Sequence, residues 1–156
     1  MILRYFDPTG DDAHRLATFA CSTGEPFEDD VEEWIRTTSV AWLNDVPRTT
    51  FQRRVLALLE DGGELVAVAA WQDIIRVDLE GIWLQVLAIS TMNQHGGNGR
   101  RSYELVIGVL GQIERDGDHV AGLVHPDNHR SKRLLTSVAW THVADLDDYE
   151  LWVGRL

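Results

Sequence analysis

One cysteine, Cys21, is all the thiol chemistry that 156 residues carry. A lone thiol excludes an internal disulfide, and the simplest setting for it is a reducing compartment. A cytoplasmic location is therefore expected. No apolar run approaches the ~20 residues that a helix needs to cross a bilayer, so no membrane partner is expected. The opening Met1-Ile2-Leu3-Arg4-Tyr5-Phe6-Asp7 lacks the apolar core of a secretion signal. Basic residues are scarce, with 14 Lys and Arg against 25 Asp and Glu, a formal net charge of −11. That balance argues against nucleic acid as a partner, because non-specific binding needs a basic footprint. It favours a cationic partner instead. Internal repeats and low-complexity tracts are also absent.

What is present is enough for one domain, residues 1–156, with a real core. Hydrophobic residues make up 44% and six are Trp, a globular composition. Ile2 to Phe6 reads as a first strand. Asp11 or Asp12 caps a helix running towards Cys21, and Phe27 to Leu43 reads as a second helix with an acidic first turn. Those acids, Glu28 to Glu33, are either a solvated helix face or one wall of a site for a cation. Asn44 to Thr50 is a linker. Arg54 to Leu59 and Leu65 to Trp71 flank Asp61-Gly62-Gly63-Glu64 and predict a hairpin. Leu65 to Ala70 is apolar throughout, which predicts cover on both faces. Ile82 to Ser90 is the next strand. A helix follows around Tyr103 to Ile113, then the stop Arg115-Asp116-Gly117-Asp118 and a short strand, Val120 to Val124. Asn128 is the N-cap of a helix to about Val138. A hairpin, Trp140 to Val143 and Tyr149 to Val153, ends the chain. The order predicts an α/β fold with a mixed central β-sheet flanked by helices.

Chemistry concentrates at Gln94-His95-Gly96-Gly97-Asn98-Gly99-Arg100, between a strand and a helix. A helix start has N–H groups without internal partners, and its dipole favours anions. Glycines allow a phosphate to approach those N–H groups closely. The stretch reads as a pyrophosphate cradle. It is not a P-loop, because no Lys follows the glycines, and not a dinucleotide fingerprint, because Ser102 occupies the last glycine place.

Gln94-x-x-Gly97-x-Gly99 resembles the Q/R-x-x-G-x-G/A signature of the GNAT superfamily, the acetyl-CoA-dependent N-acyltransferases. Leu87-Ala88-Ile89-Ser90-Thr91 resembles the end of that family's fourth strand. Asn128 to Trp140 resembles its N-x-x-A-x-x-L-Y-x-x-x-G-F run. The resemblance implies a single-domain GNAT-like fold with strands four and five splayed by a bulge. It implies acetyl-CoA as co-substrate. The pyrophosphate would lie on the backbone of Gln94, His95, Gly96, Gly97, Asn98, Gly99 and Arg100, and the pantetheine arm along Leu87, Ala88 and Ile89. Asn128 would meet that arm, and Arg130, Lys132 and Arg133 the nucleotide end, with Arg101 a further phosphate contact.

Three departures from the pattern carry consequences. Leu135 replaces the Tyr that protonates the leaving thiolate in many members. Trp83 and Gln85 stand where a strand-four Glu or His often serves as base. Ala139-Trp140 replaces the G-F pair. An amine of pKa near 10 must lose a proton before it attacks a thioester. The candidates to accept it are His125, at the end of the fifth strand, and Glu80, just before the fourth; Gln85 can orient a water. Tyr149 is a further candidate acid. His125 and His129 are four apart but straddle Pro126, so no metal site is expected. Cys21 reads as a core thiol, and Trp34 and Trp42 as core or as the lining of an acceptor pocket. The expected activity is acetyl transfer to a small-molecule or peptide amine, cationic in keeping with the acidic chain, by direct attack in a ternary complex. The competing reading is a non-catalytic acyl-CoA sensor or a subunit of a complex. The sequence leaves a homodimer open.

Overall fold

The computed structural model describes residues 1–45, 53–75, 80–113 and 117–156. Most of the linker expected at 44–50, the connection at 76–79, and Arg115 and Asp116 of the stop signal lie outside the described residues. The elements run β1 (Ile2–Tyr5), α1 (Asp12–Ala17), α2 (Pro26–Thr37), α3 (Ser39–Asn44), β2 (Arg54–Asp61), β3 (Glu64–Ile75) and β4 (Glu80–Ile89). A 3₁₀ turn (Thr91–Asn93), α4 (Asn98–Leu110), β5 (His119–Val124), α5 (His129–Ser137), β6 (Thr141–Leu146) and β7 (Tyr149–Arg155) follow. Seven strands form one sheet in the order β1-β2-β3-β4-β5-β7-β6. β4 and β5 run parallel, which requires a crossover, and α4 supplies it. The other described pairs are antiparallel.

Both faces of the sheet are covered. Tyr103, Val106 and Leu110 of α4 lie on one face, and Leu16, Phe19 and Ile35 from the α1–α2 region on the other. Val66 to Ala70 in β3 are accordingly buried throughout. Along β4, Ile82, Leu84, Leu87 and Ile89 pack on the α4 side, while Val86 and Ala88 pack on the opposite side. Strict alternation would put Leu84 and Val86 on the same face. The phase changes because Trp71 faces Leu84 and Ala70 faces Val86, which leaves Gln85 as the extra residue of a β-bulge.

Three local departures from the sequence reading have physical causes. The helix predicted over Phe27–Leu43 is two helices that break at Thr38. The Thr37 and Ser39 hydroxyls donate back to the Glu33 and Ile35 carbonyls, at 2.8 and 2.6 Å, which loosens the turn between them. The break lets Trp34 and Trp42 meet edge to face with centroids 5.6 Å apart. The helix expected to run towards Cys21 stops at Ala17, and Phe19 and Cys21 enter the core beyond it. Neither Asp11 nor Asp12 caps α1 by its side chain. Asp12 is buried and receives both ends of the Arg4 guanidinium, at 2.6 and 2.5 Å. Arg4 and Arg15 also bind Glu60 on β2. The network joins β1, α1 and β2, and the Arg4 guanidinium holds the Asp12 carboxyl below the usual carboxylate range.

Candidate functional site

The site begins where β4 and β5 stop pairing. Gly81, Ile82 and Trp83 face His119, Val120 and Ala121, and no pair follows, although both strands continue. The bulge at Gln85 falls just past the last pair. Ser90 donates its N–H to Val66 O on β3 at 2.8 Å. By alternation, the peptide groups of Leu87 and Ile89 point the other way, across the splay. They form a strand edge that β5 leaves open, with the Ile89 carbonyl alone taken by the Gln94 side chain, and such an edge is a template for an extended ligand.

The glycine turn closes one end of this opening. Gly96 and Gly97 have φ of +73° and +79°. A Cβ at either would meet nothing within 4 Å, so the left-handed backbone, not crowding, requires glycine. Gly97 sits at the N-cap of α4 without a side-chain cap. The N–H groups of Asn98, Gly99 and Arg100 therefore have no intrahelical partner and stand at the positive end of a 13-residue helix. Asn98 Nδ2 donates to the Asn93 and His95 carbonyls, at 3.1 and 3.2 Å, and holds the turn shut. Gln94 bolts the turn to its surroundings. Its Nε2 donates to Cys21 O at 2.6 Å and Ile89 O at 3.3 Å, and its Oε1 accepts from Arg130 at 2.9 Å.

A cleft of about 400 Å³ runs from this turn along β4 to the bulge. Gln85, Leu87, Ala88, Ile89, Gln94, Gly97, Gly99, Arg100, Asn128 and Arg130 all line it. His95, Gly96 and Asn98 shape the turn without lining the cleft. Asn128 caps α5 by accepting the Ser131 N–H at 3.0 Å. Lys132 is committed elsewhere. It donates to Pro126 O at 2.8 Å and pairs with Glu150 of β7 at 3.0 Å. Arg133 is exposed, and its side chain makes no hydrogen bond among the described residues. Arg100 pairs with Glu104 one turn on, at 2.8 Å.

The two ionisable candidates for a base fall apart in space. Glu80 is the exposed first residue of β4, on the order of 17 Å along the strand from Gln85, at the paired end. The structure does not bring it to the cleft. His125 lies outside the cleft lining, in a second hollow of about 370 Å³. Phe27 stacks on its ring at 4.7 Å and Tyr149 meets it edge-on at 5.8 Å. Asp30, Asp147 and Asp148 line the same hollow. The Asp127 N–H donates to His125 Nδ1 at 3.2 Å, which assigns the proton of the neutral ring to Nε2.

Glu28 is the carboxylate that sequence reasoning left inside an undifferentiated acid cluster. It lines the cleft beside Val31. Thr23 donates both its N–H and its hydroxyl to Oε2, each at 2.6 Å, while Oε1 has no partner among the described residues. Asp29 and Glu32 are tied to the 21–22 loop, Asp29 by the Ser22 hydroxyl at 2.5 Å and Glu32 by two backbone N–H groups. The helical period could have separated Glu28, on the face of Val31 and Glu32, from Asp30 and Glu33. Cys21 also lines the cleft, but burial, with Glu32 and Glu28 nearby, pushes its thiol up to about 12. Among the described residues no three His, Cys, Asp or Glu converge as metal ligands would, and no helix is long and apolar enough to cross a membrane.

Neither a family model nor a curated protein matches this sequence. Solved structures do match the fold over its whole length. The GNAT domain of S. lividans PAT superposes with a TM-score of 0.72 at 18% identity, covering 99% of this chain and 89% of that one. The PaiA N-acetyltransferase from Thermoplasma acidophilum, solved in complex with coenzyme A, gives 0.69 at 14% identity with full coverage of both chains. An acetyltransferase from Thermus thermophilus gives 0.62 at 23%, covering 100% and 98%. The chain has the GNAT fold.

Proposed function

We propose that the protein transfers an acetyl group from acetyl-CoA to a primary amine. The observation that carries this reading is the alignment of two anion- and strand-binding devices in one cleft. The bare amides at the start of α4 suit a pyrophosphate. The edge of β4 that β5 leaves open, at the Leu87 peptide and the Ile89 N–H, suits the two amides of a pantetheine arm. The distance between them is spanned by β4 itself, so a coenzyme held at both ends delivers its thioester to the bulge at Gln85.

At the bulge, a backbone N–H freed from the ladder stabilises the developing oxyanion. The amine nitrogen attacks the carbonyl carbon, the C–N bond forms, and the C–S bond breaks. Coenzyme A leaves as thiolate, which a thiol of pKa about 8.5 permits without a dedicated acid. The amine's proton passes to Glu28 through a water held by Gln85. Glu28 is preferred over His125 because the accepting lone pair of His125 is already taken by the Asp127 N–H. Direct attack is preferred over an acyl-cysteine, because a thiol near 12 supplies no thiolate at neutral pH.

The acceptor enters through the His125 hollow, which adjoins the cleft at the start of α2. Glu28 and Val31 face the cleft, whereas Phe27 and Asp30 face the hollow. Three aspartates around an aromatic platform favour a cationic acceptor, such as a polyamine or a peptide amine. The test is thiol release from acetyl-CoA on adding amines from a broad panel. Turnover with cationic amines is expected. CoA binding without turnover on any amine would favour the alternative, an acyl-CoA sensor, which Leu135 in place of a proton-donating Tyr supports.

A further inference from the structure

The wedge between β4 and β5 does not end at the cleft. A pocket of about 100 Å³ lies deeper in it and shares Gln85, Val86, Leu87, Leu123, Ser131 and Leu134 with the cleft above. Its floor is Leu84, Val124, Leu135, Tyr103 and Trp140. Four of these, all but Leu84, are 5–8% exposed. The floor's polar tips are turned on each other, because Trp140 Nε1 donates to the Tyr103 hydroxyl at 2.7 Å. Burial pushes the Tyr103 phenol up, so it stays neutral. On the β5 side the wall is bare at Gly122, where a Cβ would lie 3.0 Å from Leu84 O. The pocket is thus an apolar extension of the cleft that begins at the bulge, where the thioester carbonyl sits.

Acetyl has one carbon beyond its carbonyl. At about 30 Å³ for a group the size of a water, the pocket holds about three. Empty apolar volume forfeits contacts and binds apolar groups readily. We infer that the site takes acyl chains up to about butyryl, with the tail in this pocket, and prefers them to acetyl. The inference rests on the proposed acyl transfer and names its donor class.

Calorimetric titration of the full chain with CoA, acetyl-CoA, butyryl-CoA and octanoyl-CoA tests it without knowledge of the amine. Butyryl-CoA should bind about fifteenfold tighter than acetyl-CoA, since each of its two extra methylenes contributes about fourfold when buried. Octanoyl-CoA should gain nothing further. Leu135→Phe fills the floor and should bring butyryl-CoA to within about twofold of acetyl-CoA, while CoA itself binds as before; Val124→Leu serves if that variant does not fold. Equal or weaker binding of butyryl-CoA overturns the inference and leaves acetyl transfer standing. A butyryl preference that survives the filled floor places the tail elsewhere and overturns it too. Failure of CoA itself to bind overturns the transfer reading and this inference with it.

Discussion

The two ends of β4 face the same neighbour and treat it in opposite ways. At the start, Gly81 lies at φ +149° with its Cα so close to β5 that a Cβ would sit 2.0 Å from His119 O. Three residue pairs close that end. Four residues on, the bulge at Gln85 shifts the strand's phase, and no residue after Trp83 pairs with β5. One end is stabilised by backbone contact; the other leaves backbone groups for a ligand. A binding cleft in a mixed sheet is made by withholding pairing locally, and the paired end keeps the gap at a fixed width.

That contrast is open to attack from both sides. The largest effect is expected from Gly81→Ala, which adds strain at a positive φ to a backbone clash. Unfolding by denaturant should show a loss of about 3 kcal/mol. Glu28→Gln acts only at the open end. It should lower kcat about 100-fold in the thiol-release assay, with coenzyme affinity changed far less, because a general base contributes at least that factor. Equal rates for the variant and the parent would remove Glu28 from the mechanism. Gly97→Ala is the partner experiment to Gly81→Ala, the same change at a φ-positive glycine that has open space around it. Stability should fall by about 1–2 kcal/mol. Titration should show coenzyme A binding weakened about tenfold, the loss of one charge-assisted hydrogen bond. A Gly97 variant with parent affinity would argue against the cradle.

The smallest effect concerns the loop that walls the open end. The Ser22 N–H foremost, with the Cys21 N–H and Arg36 also contributing, holds the Glu32 carboxyl below its usual range. A depressed folded value contributes stability that is complete above the unfolded value of about 4.3. That contribution is lost as pH falls through the lower folded value. Glu32→Gln should therefore cost about 1 kcal/mol at pH 7 and flatten the acid limb of a stability profile measured by thermal unfolding. An unchanged acid limb would mean that other carboxylates, Asp12 and Glu60 first, carry it.

Much of this arrangement was legible in the sequence because it rests on local chemistry. Gly96-Gly97 announces a left-handed turn, Asn128 a cap, and Asp61-Gly62-Gly63-Glu64 a hairpin, since each is decided by a residue's own backbone preferences. The strand Ile82 to Ser90 was legible, but the change of phase inside it was not. A bulge is a property of two strands, and nothing in Gln85 itself marks it as the extra residue. The acids of α2 were equally opaque, because Glu28, Asp29 and Glu32 differ only in what the chain folds beside them.

The sequence by itself determined that a strand, a glycine turn and a helix would follow one another, and that the turn would present bare amides. Steric limits on φ and the unpaired first turn of a helix act over a few residues and need no partner. Tertiary structure alone decided which acid stands in the cleft, that Lys132 is spent on Glu150, and that His125 stacks against Phe27 from a distant helix. It also decided how deep the wedge runs below Gln85. Those outcomes depend on side chains far apart in the chain competing for the same space and the same protons, and that competition is settled only when the sheet has closed.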